Sequence, residues 1–361
     1  MKYEFASLFM TLDFRTPELS DRSAVALAVA ASGYTGSDAG FANIYLLRKK
    51  YGTQVALQDG FLFRYYNGGG SRRGYAFPLG AGDPFKALEL IVDEAHESGR
   101  PLEFCLVDEP RSQILREYFA NAGASEEPVL HFEYNRGDSD YIYSAENLAN
   151  LFGNTYRKKR NHISKFSRTY AHYELRKITC ENIAEALEVE KAWLNSGMAG
   201  GLSNSNRENV FDSVNECEQP AWAEYSEDEK SRLMEFCAIQ EALQNFEELG
   251  MKGDLLYVDE KPVGMTLASE ITPGVWDIHF EKVIGEYAVN GGYAVINKLF
   301  AERLVAAGAK LINREEDINI EGLRKAKLSY YPLTILDKCH VMVLPDCHSG
   351  AEGDRIHEDE G

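Results

Sequence analysis

The sequence predicts an α/β protein of two lobes, each a mixed β-sheet flanked by helices. Two observations carry this. A chain of 361 residues is long for one hydrophobic core and comfortable for two. The same order of predicted elements also occurs twice, about 200 residues apart: a β-hairpin, a third strand, a glycine-bearing loop, a helix, then strand and helix. With 44% apolar and 26% charged residues, and 20 Tyr and 18 Phe, the composition excludes a wholly disordered chain.

The first repeat is preceded by two predicted helices. One is the Ala/Val-rich Ser23–Ala31 behind the cap candidate Asp21, and the other is Phe41–Tyr51. β-Prone runs follow at Thr53–Leu57, Phe61–Tyr66 and Tyr75–Leu79, the first two joined as a hairpin by Gln58-Asp59-Gly60. Gly80-Ala81-Gly82 leads into an amphipathic helix, Phe85–Ser98, with Asp83 as its cap and Pro84 in its first turn. A strand (Leu102–Val107) and a helix (Arg111–Asn121) close the unit.

In the second repeat, Asp254–Val258 and Val263–Ser269 pair across Asp259-Glu260-Lys261-Pro262, and Val275–Val283 is the third strand. A loop ending in Asn290-Gly291-Gly292 precedes a long helix (Tyr293–Ala307), a strand (Lys310–Asn313) and a helix (Glu321–Leu328). Leu333–Leu344 reads as one long final strand, with Ile335, Val341 and Val343 as β-branched members. Between the repeats lie a basic helix (Tyr156–Tyr170), a strand (His172–Ile178), a helix (Glu181–Leu194), a Gly/Ser/Asn-rich loop (Gly197–Asn206) and a long helix (Ser226–Leu249). The expected division is a first lobe at residues 1–140, a second at 141–345 that includes the basic helix 156–170, and a frayed acidic tail at 346–361.

Several function classes are excluded. No apolar run approaches the roughly 20 residues of a membrane helix, and Glu4 and Asp13 interrupt any signal-peptide pattern. Six scattered cysteines without a CxxC pair point to reduced thiols and a cytoplasmic setting. There is no G-x-S-x-G, Walker A, H-E-x-x-H or kinase motif. Cys339-His340 and Cys347-His348 lie in a strand and a tail, so no metal centre is expected. The net charge of −19 restricts nucleic-acid binding to a local basic surface.

Two segments carry a family resemblance. They run from Tyr141-Ile142-Tyr143 to Lys158-Lys159-Arg160-Asn161-His162-Ile163, and from Asn313-Arg314-Glu315-Glu316-Asp317 to Gly322-Leu323-Arg324-Lys325-Ala326-Lys327-Leu328-Ser329-Tyr330. Both resemble signature stretches of a bacterial family related to the cytoplasmic C-terminal domain of phosphatidylglycerol lysyltransferases. The doubled element order resembles the GNAT acyltransferase ground plan. The resemblance implies tandem GNAT-like lobes that transfer an activated acyl group, foremost an aminoacyl group from tRNA, to an amine or hydroxyl acceptor. That acceptor is a small molecule, a lipid headgroup or a peptide. No tightly bound cofactor is expected: aminoacyl-tRNA or acyl-CoA serves as the donor substrate. A CoA-dependent N-acetyltransferase and a non-catalytic module binding a nucleotide, tRNA or protein remain alternatives.

Four constellations are candidates for the chemistry. Arg157, Lys158, Lys159, Arg160, Lys165 and Arg168 fall within twelve positions, with no acidic residue from Thr155 to Ala171. At helical spacing Arg157, Arg160, Ser164 and Arg168 share a stripe suited to tRNA or pyrophosphate phosphates, unless acidic neighbours neutralise it. Arg314, Arg324, Lys325 and Lys327, with Lys310, form a second basic group that either joins the first in one anionic groove or is neutralised by Glu315, Glu316, Asp317 and Glu321. Gly285, Gly291 and Gly292 stand where GNAT enzymes hold the CoA pyrophosphate, without the usual motif spacing, so backbone geometry is the competing reason for them. His279 and Glu281 alternate on the third strand and are candidate acid–base groups, while Tyr330, or Tyr331 beside it, is the candidate general acid.

Overall fold

The computed structural model describes residues 11–68, 72–121, 128–197 and 226–344. The first repeat opens with α1 (Arg22–Ser32), α2 (Phe41–Leu46) and α3 (Arg48–Tyr51). Phe41–Tyr51 is thus two short helices, broken where Leu47 leaves helical dihedrals. β1 (Gln54–Gln58) and β2 (Phe61–Asn67) form the expected hairpin. Its turn residues Asp59 and Gly60 have φ of 51° and 78°, the left-handed pair that matches strand twist. β3 (Arg73–Ala76) and β4 (Leu79–Gly80) both pair with β2. α4 (Pro84–Ser98) begins at Asp83, whose carboxylate accepts from the Phe85 amide. β5 (Glu103–Val107) runs parallel to β3, followed by α5 (Glu109–Asn121) and β6 (Val129–Tyr134).

The chain then passes through β7 (Asp140–Ser144), α6 (Ala145–Asn150), α7 (Arg157–Thr169), β8 (Tyr173–Lys177), α8 (Ile183–Gly197) and α9 (Glu227–Gln244). The second repeat comprises β9 (Lys252–Val258), β10 (Lys261–Thr272), β11 (Val275–Val283), α10 (Gly285–Val289), α11 (Gly292–Ala306), β12 (Leu311–Asn313) and α12 (Glu321–Leu328). β9, β10 and β11 are an antiparallel meander, and β11 pairs parallel with β12 as β3 does with β5. The chain closes with β13 (Thr334–Leu336) and β14 (Cys339–Leu344).

Two mixed seven-stranded sheets result. The first has the order β1-β2-β3-β5-β14-β6, with β4 on β2, and the second β13-β7-β12-β11-β10-β9-β8. The single strand expected over Leu333–Leu344 is therefore two strands in two sheets. β13 borders β7 in the second sheet, while β14 inserts between β5 and β6 of the first. A continuous β-prone run reads the same whichever sheet it joins, so only the long-range pairing separates the halves. β14 stands beside β5 as β7 stands beside β12. A cut at residue 140 therefore leaves the last strand hydrogen-bonded into the first sheet.

The lobes also share apolar core. Val25, Ile44, Leu62 and Leu79 of the first half pack in one cluster with Ile239, Leu255, Met265 and Leu267 of the second. The expected loop Gly197–Asn206 reaches beyond the described residues after Gly197, and the tail 346–361 lies outside them. Among the described residues, no helix is long and apolar enough to cross a membrane.

At the crossing from β13 to β14 stands Lys338, wholly buried. Its Nζ lies 2.9 Å from both Asp38 Oδ1 and Asp140 Oδ1, and 3.7 Å from Glu316 Oε1. Arg64 holds the other Asp38 oxygen at 2.8 Å, and Arg72 holds Glu316 at 2.5 Å. Asp140 also accepts from the Ser37 amide and hydroxyl and from Asn313 Nδ2. Burial pushes the Asp38 carboxyl up, but Lys338 and Arg64 outweigh it and hold the group well below the usual carboxylate range. Removing the ammonium leaves buried acids facing each other. Lys338→Met is expected to cost about 3–5 kcal/mol in urea unfolding, and a loss below about 1 kcal/mol would refute this role.

Candidate active site

β11 and β10 pair through a bulge: Leu267 faces Phe280 and Ala268 faces Ile278, leaving His279 unpaired between them. The two candidate acid–base groups on this strand consequently have different partners. His279 Nε2 lies 2.8 Å from Ser269 Oγ, and its Nδ1 is 3.3 Å from Glu315 Oε1. Glu281 accepts from Arg314 at 3.0 Å through one oxygen and from Asn297 Nδ2 at 3.2 Å through the other. With both oxygens engaged, Glu281 serves to hold Arg314, a guanidinium that the β12–α12 connection brings back to β11.

Beside this ion pair stands Tyr330, just past α12. It is buried, whereas Tyr331 is 54% exposed, at φ 54°, and packs on Tyr156. Two cations flank the Tyr330 ring: Lys159 Nζ at 3.6 Å and Arg314 Cζ at 5.0 Å from its centroid. Tyr156 of the turn entering α7 donates to the Tyr330 carbonyl at 3.2 Å, pinning the residue in place. Burial pushes the Tyr330 hydroxyl well above its ordinary range, so it keeps its proton at neutral pH.

The group that sequence reasoning counted only as one of six basic residues is Lys159. Its Nζ donates to Ser329 Oγ at 2.6 Å. Burial first, then repulsion from Arg314, bring its amine down to about 8, against a smaller upward pull from Glu281. A lysine in that range exchanges protons near neutral pH, as a general base must.

The remaining cations of α7 divide in two. Arg160 is consumed locally, donating to the carbonyls of Leu151 and Gly153. Arg157, Lys158, Lys165 and Arg168 are exposed, and no carboxylate of the described residues lies within 4 Å of any of them. Among the described residues, therefore, this face has no acidic partner. The second basic group behaves otherwise: Arg314 meets Lys159 of the first group at the Tyr330 ring, and Arg324, Lys325 and Lys327 are engaged locally. Arg324 grips Asp317 through two hydrogen bonds of 2.7 and 2.8 Å, Lys325 pairs with Glu321, and Lys327 is buried and donates to the carbonyls of Arg314 and Glu316. Local neutralisation by acidic neighbours, one of the two readings of the sequence, describes Arg324 and Lys325, whereas Lys327 is held by backbone carbonyls.

The glycine loop has a packing reason. A Cβ on Gly291, at φ 107°, would lie 2.5 Å from the His162 carbonyl oxygen of α7, and one on Gly292 would lie 2.7 Å from the Tyr287 carbonyl. α7 is thus seated over the start of α11, held also by Asn290 Nδ2 donating to the Tyr170 hydroxyl. Gly285 faces open space, and its φ of 50° is what its glycine provides for.

The family described as "Phosphatidylglycerol lysyltransferase, C-terminal" matches residues 30–338. The chain belongs to this family. No curated protein matches it in sequence. Among solved structures, a conserved protein of unknown function from Bacteroides thetaiotaomicron is similar at 31% identity and a TM-score of 0.75, over 92% of this chain and 100% of that one. L-PGS from Bacillus licheniformis is similar at 11% identity and a TM-score of 0.58, over 91% and 93%. The C-terminal domain of a protein described as a lysylphosphatidylglycerol synthetase from Agrobacterium fabrum is similar at 14% identity and a TM-score of 0.56, over 90% and 92%. At such identities the last two establish the fold alone, and the two mixed sheets flanked by helices are those expected from the element order.

Within this phosphatidylglycerol lysyltransferase C-terminal fold, the cluster of Lys159, Glu281, Arg314 and Tyr330 draws on α7, β11 and the segments flanking α12. Of these four, Glu281 and Tyr330 were singled out as acid–base candidates from sequence, since nothing local distinguishes Lys159 from Lys158. The environment of Lys159 predicts its titration. An NMR titration of the reductively methylated protein is expected to show one lysine with a midpoint near 8. Arg314→Gln removes a repelling cation and frees Glu281, so it is expected to move that midpoint upward. A downward or absent shift would refute the assignment.

Proposed function

We propose that this chain is an aminoacyltransferase that takes its aminoacyl group from tRNA and delivers it to a hydroxyl or amine acceptor. One observation carries the reading. A lysine amine near neutral titration, a protonated tyrosine and a fixed guanidinium meet beside the exposed cationic face of the same helix, α7. Family membership supports it, since the matching family takes its name from lysyl transfer. The seating of α7 against Gly291 and Gly292 favours tRNA over CoA as the donor, because the loop expected to bind a pyrophosphate is filled by the chain itself.

In this reading the Lys159 amine takes the proton of the acceptor hydroxyl or amine as that atom attacks the aminoacyl ester carbonyl. Arg314, held by Glu281, faces the negative charge that develops on the carbonyl oxygen. The ester bond to the terminal ribose breaks, and the Tyr330 hydroxyl gives its proton to the departing ribose oxygen. The proton on Lys159 then restores Tyr330, directly or through water. Arg157, Lys158, Lys165 and Arg168 contact the tRNA backbone, which carries affinity but no chemistry.

A mixed aminoacyl-tRNA pool incubated with phosphatidylglycerol vesicles, and separately with soluble amines and peptides, tests this. Lys159→Met and Tyr330→Phe are each expected to cut transfer by about 10²–10⁴-fold with tRNA affinity unchanged. The rate is expected to rise with pH to a plateau above about 8 in the native protein, because Lys159 must be neutral to act, and to lose that limb in Lys159→Met. Arg157→Glu with Arg168→Glu is expected to weaken tRNA binding and lower its salt slope by about 2, leaving turnover of bound tRNA intact. Saturable acetyl-CoA binding without tRNA binding would overturn the proposal. Binding of tRNA with no transfer to any acceptor would make the chain a binding module.

A further inference from the structure

Separate from the Lys159–Tyr330 cluster, three polar side chains converge at the seam between the lobes: Asp277 and His279 of β11 and Glu315, just past β12. His279 Nδ1 is 3.4 Å from Asp277 Oδ2 and 3.3 Å from Glu315 Oε1, and one donor atom from each residue lies within 4.8 Å of the others. Asp277 is wholly buried, and neither of its oxygens has a hydrogen-bond partner. A buried carboxyl without a donor is costly, and native structures seldom leave one so.

The tautomer of His279 does not remove the problem. With Nε2–H donated to Ser269 Oγ, Nδ1 turns a lone pair toward two carboxylates, and three acceptors meet with no proton between them. The other tautomer donates Nδ1–H to Glu315 and still leaves both Asp277 oxygens without a partner. A divalent cation satisfies all three groups and neutralises both carboxylates.

We propose that Asp277, His279 and Glu315 bind a divalent transition-metal ion of the zinc type. Metal bonds of about 2.0–2.1 Å in a tetrahedral site require donor atoms roughly 3.3–3.4 Å apart, and the two separations from Nδ1 match this. One imidazole and two carboxylates, with no thiolate, suit zinc, manganese or iron(II) rather than a soft ion. Ser269 is the outer partner that a ligating imidazole needs on its second nitrogen. Glu315 is the entrance, its side chain 25% exposed against 3% for His279 and 0% for Asp277. Asn43 of α2 donates to the same Glu315 oxygen at 3.3 Å, so the ion joins β11 to the β12–α12 connection against the first lobe. Glu315 directly follows Arg314, and metal binding therefore steadies the segment that brings Arg314 to Glu281.

The test uses the full chain, stripped with chelator and titrated with zinc by calorimetry, with cobalt(II) as a spectroscopic substitute. One equivalent of zinc per chain, a thermal midpoint that rises with zinc concentration, and the visible d–d bands of four-coordinate cobalt are expected. Glu315→Gln changes a partly exposed side chain and should fold. It and His279→Gln are each expected to weaken zinc binding by at least about 100-fold. Zinc binding that persists unchanged in both variants is adventitious, through thiols or other histidines, and overturns the proposal. So does failure of the native protein to bind either metal, which assigns the gap beside Asp277 to a proton. Neither failure bears on aminoacyl transfer, which uses different side chains.

Discussion

The architecture turns on one buried ammonium. Lys338 lies at the point where the chain leaves the second sheet at β13 and enters the first at β14, and it contacts an acid from each side of the seam. Asp38 belongs to the segment before α2, Asp140 opens β7, and Glu316 follows β12. Burying charges of either sign is expensive, and their mutual attraction offsets the cost only when every group is paired. Arg64 and Arg72 complete the pairing on Asp38 and Glu316. Such a network contributes little net energy compared with apolar packing, but it penalises any other docking of the two sheets, because a shifted seam strands buried charge.

The electrostatics of the candidate active site depend on that docking at one remove. Arg314 leaves β12 one residue after Asn313, whose amide donates to Asp140 inside the network. Glu281 then draws the guanidinium onto β11, and the same guanidinium lies close enough to depress the Lys159 amine. The Lys159 amine is therefore depressed because low-dielectric surroundings and a cation stand beside it, and the same burial raises the Tyr330 hydroxyl. Neighbouring sites on one strand meet different fates. The bulge at His279 turns its imidazole toward Asp277 and Glu315, while Glu281 two residues on is committed to Arg314.

Much of the fold was legible in the residue order. The turns at Asp59-Gly60 and Asp259-Glu260 each bring two left-handed residues where a hairpin was expected. Asp83 and Pro84 begin α4 as their local chemistry requires. The candidate site was legible only in part. Glu281 and Tyr330 could be proposed from their places in a repeated element order, but their partners lie 33 and 171 residues away in sequence, at Arg314 and Lys159. The basic helix was visible as a charge run, although Arg160 proved to be occupied by the Leu151 and Gly153 carbonyls in the connection ahead of α7.

By itself, the sequence determined what local physics determines: the two periodicities, the caps and turns, the doubled order of elements and the concentration of positive charge on α7. Those features depend on residues within a few positions of one another. The tertiary structure alone decided which sheet received β14, which cations stayed exposed, that the Lys159 amine is depressed, and that Asp277, His279 and Glu315 share one gap. Each of these is set by desolvation and by charges brought together across long stretches of chain, quantities that no local pattern encodes.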